Sequence, residues 1–308
     1  MASRHPAGRA LPGQDALFSP GEIPAAPPAP VAAPDLASYD IVLASISGGK
    51  DSQTMLRVLV QAAEADGARD RIVCVFADLG ADDEWPGTAQ IAAQHAACYG
   101  LRFITVCRRA DDGHGGKRQQ GLLEHIGHRG LWPDARNRYC TSDLKRGPVR
   151  TVMTRLVAEQ RQGGITGRRV RLLNVMGLRA QESAKRRLMP PFCHDEQSSN
   201  RTRREVDQWL PIHTWTTGQV WTDIRASGVP YHYAYDLGMP RLSCVFCVLA
   251  SESALILAAQ LHPERAERRA QLERRMGHTF QNGRSMREII AKARAAGPAP
   301  VRAADWSA

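Results

Sequence analysis

From residue 40 onward, short and continuously apolar runs alternate with longer runs in which apolar residues recur every three or four positions. The first kind is typical of buried strands and the second of amphipathic helices. The pattern predicts strands over residues 41–46, 71–77, 102–107 and 170–176. It predicts helices over residues 51–65, 84–99, 119–128, 144–160, 216–227 and 252–275, and a polar loop over 108–117.

This succession predicts an α/β fold with a doubly wound parallel sheet and a mainly helical C-terminal part. Strand–helix–strand units give parallel strands with helices on both faces, and ligands bind beyond the carboxyl ends of such strands. Residues 1–37 are rich in Pro and Ala without an apolar period, which predicts a disordered tail. Residues 38–250 form the predicted α/β domain, and 251–308 a charged helical extension.

Composition narrows the class of protein. The 308 residues are 43% hydrophobic and 23% charged, as in soluble globular proteins. No run approaches the roughly 20 apolar residues of a membrane span, and the N-terminus lacks a secretory pattern. We therefore expect a cytoplasmic protein that makes no membrane contact; the composition leaves the oligomeric state open.

The charge is strongly basic and uneven. Lys and Arg number 41 against 31 Asp and Glu, a net charge of +10, which favours a polyanionic partner. Residues 161–205 contain eleven Lys and Arg residues but only four Asp and Glu residues. The cations are Arg161, Arg168, Arg169, Arg171, Arg179, Lys185, Arg186, Arg187, Arg201, Arg203 and Arg204. They predict either a nucleic-acid contact or an ordinary solvated basic face.

A loop of small residues joins the first predicted strand to the first helix. Its sequence is Ser47-Gly48-Gly49-Lys50-Asp51-Ser52. Glycines let the backbone approach a phosphate, consecutive N–H groups form an anion nest, and the helix N-terminus adds a partial positive charge. The serine hydroxyls can donate hydrogen bonds, Lys50 supplies a cation, and Asp51 can hold Mg²⁺ or cap the helix.

This loop resembles the Ser-Gly-Gly-x-Asp-Ser signature of the PP-loop ATP pyrophosphatases, which have the adenine nucleotide alpha-hydrolase-like fold. It is not a Walker A loop, because the Gly-Lys-[Ser/Thr] ending is missing. The resemblance implies that ATP is cleaved between its α and β phosphates, so that a substrate oxygen is adenylated and pyrophosphate leaves. It also implies Mg²⁺ as a cofactor and 38–250 as a nucleotide-binding domain.

Two further elements resemble the phosphoadenosine phosphosulfate (PAPS) reductase branch of these enzymes. Asp78-Leu79-Gly80 matches an Asp-Thr-Gly element, with Leu79 in place of Thr, and Gly177-x-Arg179-x-x-Glu182 matches a Gly-x-Arg-x-x-Glu element. The resemblance implies a ribose or Mg²⁺ contact at Asp78 and a backbone contact at Gly80. It implies that Arg179 grips a phosphate, oriented by Glu182, and that Lys50, Asp51 and Arg179 are catalytic.

Four of the seven cysteines are candidate metal ligands. Cys244-x-x-Cys247 places two thiols within reach of one metal or cluster, and Cys140 precedes a basic element as in iron–sulfur members of the family. Cys193, the neighbouring His194, or an open iron position could complete the set. A [4Fe–4S] cluster, Zn²⁺ and metal-free thiols all remain open.

Three functions remain open. The combination of the ATP loop with the candidate cluster cysteines resembles adenylating subunits of DNA phosphorothioation systems or phage-borne PAPS-reductase-like proteins. This resemblance implies sulfur transfer to DNA or tRNA. It also implies a partner that donates sulfur, such as a cysteine desulfurase. A sulfonucleotide reductase is the second possibility, although the Glu-Cys-Gly-Leu-His tail of that subfamily is missing after Cys247. A nucleotide-binding module without turnover is the third.

Overall fold

The computed structural model describes residues 31–299. Six strands form the main sheet in the order β3-β2-β1-β6-β8-β7, and two short strands form a separate antiparallel hairpin. All pairings in the main sheet are parallel except that of the edge strand β7 with β8. The strands are β1 Ile41–Ile46, β2 Ile72–Asp78, β3 Arg102–Cys107, β4 Arg109–Asp111, β5 Lys117–Gln119, β6 Val170–Met176, β7 Phe192–His194 and β8 Arg204–Trp209.

Helices cover both faces of this sheet. They are α1 Lys50–Ala65, α2 Thr88–Cys98, α3 Leu122–Arg129, α4 Tyr139–Thr141, α5 Gly147–Gln162, α6 Ala184–Arg187, α7 Thr217–Ser227, α8 Glu252–Leu261, α9 Pro263–Met276 and α10 Met286–Ala295. A π-helical turn, Ser142–Arg146, joins α4 to α5. No helix in the described range is long and apolar enough to cross a membrane.

The two faces of the sheet bury separate cores. Helices α1, α2 and α7 pack on one face, around residues such as Leu56, Ala92 and Trp221. Helix α5 packs on the other through Val152 and Leu156. Strand β1 is buried along nearly its whole length because it has helices on both sides, which explains its continuous apolar run. The predicted doubly wound α/β fold is confirmed.

A third core unites the C-terminal helices with the middle of the chain. It contains Leu79, Trp85 and Leu144 together with Leu255 from α8 and Ile289 from α10. The predicted boundary at residue 250 therefore does not separate two packing units. The helices of residues 251–299 contribute to this third core, and residues 300–308 lie outside the described range.

Three secondary-structure elements differ from the sequence prediction. The predicted loop 108–117 contains most of the β4–β5 hairpin. The single helix predicted over 252–275 is two helices, because Pro263 starts α9 and the residue before a proline is disfavoured in helical conformation. Strand β8 was not predicted, since its sequence Arg-Glu-Val-Asp-Gln-Trp is largely polar.

The predicted tail of residues 1–37 is too long. Residues 1–30 lie outside the described part of the chain. The amide of Val31 donates to the Pro211 carbonyl at 3.0 Å, and Leu36 is fully buried in the core beneath α1. The Leu36 amide also donates to an Asp66 carboxylate oxygen at 2.9 Å. Residues 31–37 therefore belong to the folded domain.

Candidate active site

The phosphate-loop segment lies where neighbouring parallel strands β1 and β6 end. Small residues are required there. A Cβ on Gly177, just after β6, would lie 2.5 Å from the Asp51 carbonyl oxygen. Gly48 has φ +72°, and a Cβ on it would lie 2.9 Å from the Thr88 carbonyl oxygen. Gly177 thus lets β6 approach the first turn of α1, and Gly48 lets the loop turn beneath α2.

Hydrogen bonds within the loop hold it in shape. Ser52 Oγ donates to the Gly49 carbonyl at 2.9 Å and accepts from the Ser47 amide at 3.1 Å. The Lys50 amide donates to the Tyr235 hydroxyl at 2.9 Å. A helix cannot satisfy its first N–H groups internally, so those of Asp51 and Ser52 could bind an anion at the loop mouth, beside the exposed Ser47.

Lys50, Asp51 and Arg179 meet beneath the loop. Asp51 Oδ1 accepts from Arg179 Nε at 2.6 Å, and its Oδ2 lies 3.3 Å from Lys50 Nζ. The Lys50 and Arg179 side chains are each only 3% exposed, and that of Asp51 is 14% exposed. Burial lowers the pKa of Lys50, and the Arg179 charge contributes to this, whereas Asp51 opposes it. The structure therefore clamps the one carboxylate between two buried cations.

The Arg179 side chain is held by several protein groups. Besides Asp51, its guanidinium donates to Gln181 Oε1 at 3.0 Å, the Trp215 carbonyl at 3.1 Å and Thr217 Oγ1 at 3.2 Å. Four of its five N–H groups thus have protein partners. Glu182 accepts from the backbone amide of Arg179, not from its side chain. In this structure Arg179 positions Asp51, and a direct contact of Arg179 with a phosphate stays a prediction.

Asp78 stabilises the turn after β2. One carboxylate oxygen accepts from the Gly80 amide at 2.8 Å, and the other accepts from Gln119 Nε2 at 3.1 Å. Gly80 has φ +98°, and a Cβ there would lie 3.1 Å from Gly121 Cα. Leu79, which stands where the family has Thr, is 2% exposed and packs in the third core. This side chain therefore cannot replace the hydroxyl that Thr would present.

One segment connects the loop to the cysteines. Tyr235 binds the Lys50 amide through its hydroxyl, and its ring lies 5.5 Å from Lys50 Nζ. Lys50 Nζ also donates to the Pro240 carbonyl at 3.3 Å. A Cβ on Gly49 would be 3.4 Å from Leu242 Cβ. Because Cys244 is two residues beyond Leu242, their Cα atoms are at most about 7 Å apart.

Three cysteines gather at the end of this segment. The Cys244 thiol donates a hydrogen bond to Cys247, which raises the pKa of Cys244 and lowers that of Cys247. Burial raises the pKa of Cys140, which also interacts electrostatically with Cys247. The positive charge of Lys145 acts on all three sulfurs. Within residues 31–299, no group of three or more His, Cys, Asp or Glu is already arranged around a single metal position.

Cys193 lies apart from this group among the described residues, and its role as a fourth ligand stays a prediction. It lies on the edge strand β7, where its sulfur is 3.9 Å from Gln208 Nε2. Cys140 lies near a different strand, because the π-helical turn that follows it contacts β2. Strand β7 is four strand positions from β2, which corresponds to roughly 19 Å. His194, on the same edge strand, pairs with Asp207 at 3.0 Å.

A buried ion pair fixes the cysteine segment to the C-terminal helices. Arg269 on α9 and Asp83 form a 2.6 Å pair with side chains 1% and 3% exposed. Arg269 also lies 4.6 Å from the centre of the Phe246 ring, inside the Cys-x-x-Cys sequence. The Val245 amide donates to the Asp83 carbonyl at 2.8 Å. Neither this pair nor the role of Tyr235 was predicted, since no local pattern marks either one.

The basic stretch of residues 161–205 is divided between opposite ends of the sheet. Arg204, at the start of β8, is 8% exposed and donates to the Ser198 carbonyl and to Thr154. Arg168 pairs with Asp40 at the same amino end. Lys185, Arg186 and Arg187 lie beyond the carboxyl end. The stretch therefore does not form one continuous basic surface.

This chain is similar to proteins of one known family. Residues 41–250 match the model of the phosphoadenosine phosphosulfate reductase domain. An uncharacterized 37.8 kDa protein of Escherichia phage 186 is 27% identical over 157 residues, which cover 51% of this chain and 43% of that protein. The chain spans less than half the length of the curated relatives it matches.

Two solved structures show remote similarity. The PAPS reductase from Candida auris, in a phosphate complex, is 17% identical with a TM-score of 0.43, covering 68% of this chain and 83% of that one. The U34-tRNA thiolase NcsA from Methanococcus maripaludis, with its [4Fe-4S] cluster, is 14% identical with a TM-score of 0.40, covering 86% and 74%.

Proposed function

Because this chain belongs to the phosphoadenosine phosphosulfate reductase domain family, we propose that it is an ATP pyrophosphatase that adenylates an oxygen of an acceptor for sulfur transfer, with a nucleic acid as the acceptor. The observation that carries the proposal is the segment from Tyr235 to Cys247. It contacts the phosphate loop at one end and supplies two thiols at the other. Activation and sulfur chemistry would then occur in adjoining parts of one cleft.

The loop residues suit attack at the α phosphate. The amides of Asp51 and Ser52 and the hydroxyl of Ser47 could hold the departing pyrophosphate, since a helix N-terminus stabilises the charge that develops there. Asp51, fixed by Arg179 and Lys50, could hold Mg²⁺ through its remaining lone pairs. The acceptor oxygen forms a bond to the α phosphorus as the bond to the β-phosphate oxygen breaks. A nucleophile at the sulfide level then displaces AMP: its sulfur bonds to the activated atom as the bond from that atom to the adenylated oxygen breaks, with no change of oxidation state.

The cysteines fit a soft metal centre. Cys140, Cys244 and Cys247 would hold it, and thiolates select iron–sulfur clusters or zinc. In a cluster, each of the three cysteines would bind a separate iron. When bound, a cluster would supply a site at which sulfur is held. The Tyr139 ring is buried in the third core, where it packs edge-on against the His125 ring.

The second candidate, sulfonucleotide reduction, shares the loop and the cysteines. Family membership and the low-pKa Cys247 thiol favour sulfonucleotide reduction as much as they favour adenylation with sulfur transfer. It predicts sulfite release from adenosine or phosphoadenosine phosphosulfate in the presence of thioredoxin. The adenylating enzyme predicts AMP and pyrophosphate from ATP.

The test uses the full chain purified without oxygen and ATP labelled at the α phosphate. We expect AMP and pyrophosphate, with turnover lost in Asp51→Asn and retained in Asp70→Asn, an exposed aspartate before β2. Iron and sulfide content should fall in Cys140→Ser, Cys244→Ser and Cys247→Ser and stay unchanged in Cys193→Ser. ADP and phosphate as the only products, or sulfite release without pyrophosphate formation, would refute the proposal.

A further inference from the structure

The surface around α6 combines unpaired cations with exposed apolar side chains. We define the α6 surface by Lys185, Arg187, Leu188 and Phe192. Leu188 is 85% exposed and Phe192 is 44% exposed, two of the three large apolar side chains with such exposure among residues 31–299. Lys185 and Arg187 are exposed and form no ion pair with another described residue, whereas Arg186 between them pairs with Glu182.

This surface lies at the same end of the sheet as the phosphate loop. Phe192 is paired with Trp209, the last residue of β8, so it lies at the carboxyl end of that strand. A short chain of contacts also joins α6 to the loop. Arg186 pairs with Glu182, Glu182 accepts from the Arg179 amide, and the Arg179 side chain holds Asp51.

The other exposed arginines of the stretch lie elsewhere. Arg201 and Arg203 are exposed and just precede Arg204, which starts β8. The length of β8, about 17 Å, therefore separates them from the end where Phe192 lies. Among the exposed cations described between residues 161 and 205, Lys185 and Arg187 of the α6 surface lie at the same end of the sheet as the loop.

We propose that the α6 surface binds a single-stranded segment of the acceptor nucleic acid, with Lys185 and Arg187 on its phosphates and Phe192 and Leu188 against its bases. This inference rests on the proposed function, of which it specifies the acceptor. A charged face with an exposed aromatic ring suits unpaired bases, since every base has a π face for stacking. A paired duplex hides those faces, so only its backbone would contact the cations.

The test measures binding of fluorescein-labelled oligothymidine, and of its duplex with oligoadenosine, between about 50 and about 200 mM salt. For the single strand, Lys185→Gln/Arg187→Gln should reduce the slope of log affinity against log salt by about 0.7 for each phosphate that the variant no longer neutralises. Phe192→Ala should weaken single-strand binding by about 5-fold to about 150-fold and change duplex binding little. The matched control, Arg201→Gln/Arg203→Gln, should retain the wild-type slope.

Pyrophosphate release from ATP without nucleic acid, measured in the same variants, separates this inference from the proposed function. We expect release to be unchanged, because all five substituted side chains are exposed and outside the loop. Wild-type salt slopes in Lys185→Gln/Arg187→Gln, an equal reduction of the slope in the control pair, or binding of a protein partner in place of any nucleic acid would overturn the inference. Absence of pyrophosphate release in the wild type would instead overturn the proposed function.

Discussion

Replacing Arg269 by Met should destabilise the protein far more than the same replacement of its neighbour Arg268. Both residues lie on α9 and each pairs with an aspartate, but the Arg269–Asp83 side chains are 1% and 3% exposed, whereas those of Arg268–Asp82 are 43% and 48% exposed. Losing one partner of a buried pair typically costs about 3–5 kcal/mol, because the other charge stays buried. An exposed pair contributes about 0.2–1 kcal/mol.

The surroundings of Asp83 support the larger figure. Burial raises the pKa of Asp83 and lowers that of Arg269, so each charge depends on the other. Asp83 keeps one partner in Arg269→Met, the Leu123 amide at 2.9 Å, which cannot neutralise it. Arg269→Met also removes the contact with Phe246 and the hydrogen bond to the Asp82 carbonyl at 2.9 Å.

Thermal and urea unfolding provide the assay. For a domain of this size, about 3–5 kcal/mol corresponds to a fall in Tm of roughly 6 to 20 °C. The double variant Asp83→Leu/Arg269→Met should recover much of the loss, because no unpaired charge remains buried. Equal Tm values for Arg269→Met and Arg268→Met, or a double variant less stable than either single one, would show that the pair does not link the cysteine segment to α9 as described.

Three further predictions concern the site. Gly177→Ala should destabilise the fold and abolish nucleotide binding, because its Cβ would lie 2.5 Å from a backbone carbonyl oxygen. The control Gly218→Ala on α7 should instead stabilise the fold by about 0.5–1 kcal/mol in urea titrations. Equal effects of the two substitutions would contradict this. Burial raises the pKa of Glu84 to about 7, so the folded state keeps a proton that the unfolded chain releases above about 4.5. The Glu84 contribution to stability should therefore fall as pH rises from about 4.5 to about 7, and Glu84→Gln should flatten that part of the unfolding profile; an unchanged profile would count against it. In metal-free protein at neutral pH, iodoacetamide should alkylate Cys247 before Cys244, because the hydrogen bond from Cys244 stabilises the Cys247 thiolate; mass spectrometry showing the reverse order would refute this.

The sheet could be predicted because its strands are marked locally. Five of the six residues 41–46 and five of the seven residues 170–176 are apolar, and both segments are strands with these bounds. Strand β8 has no such mark, since alternate positions carry Glu205 and Asp207 near the edge of the sheet. Its partner β7 is only three residues long, too short for any periodicity to show.

The candidate site could be proposed from sequence, but the direction of its side chains could not. The residue types near Asp51 indicated a phosphate site, yet nothing local shows that Lys50 and Arg179 turn inward to the carboxylate. The orientation of Lys50 depends on Pro240, which lies 190 positions away along the chain. That of Arg179 depends on Trp215, which lies 36 positions away. The Arg269–Asp83 pair spans 186 positions and is invisible to any local pattern for the same reason.

The segment from Tyr235 to Cys247 has a thermodynamic consequence. Its tyrosine and Pro240 carbonyl bind Lys50, and its last residues include the Cys244–Cys247 hydrogen bond. Any ligand that draws Lys50 away from these partners changes the free energy of the same short stretch of backbone that holds the thiols. Coupling of this kind is reciprocal: to whatever extent occupancy of the loop alters thiol ionisation, ionisation or ligation of the thiols must alter nucleotide affinity by the same factor.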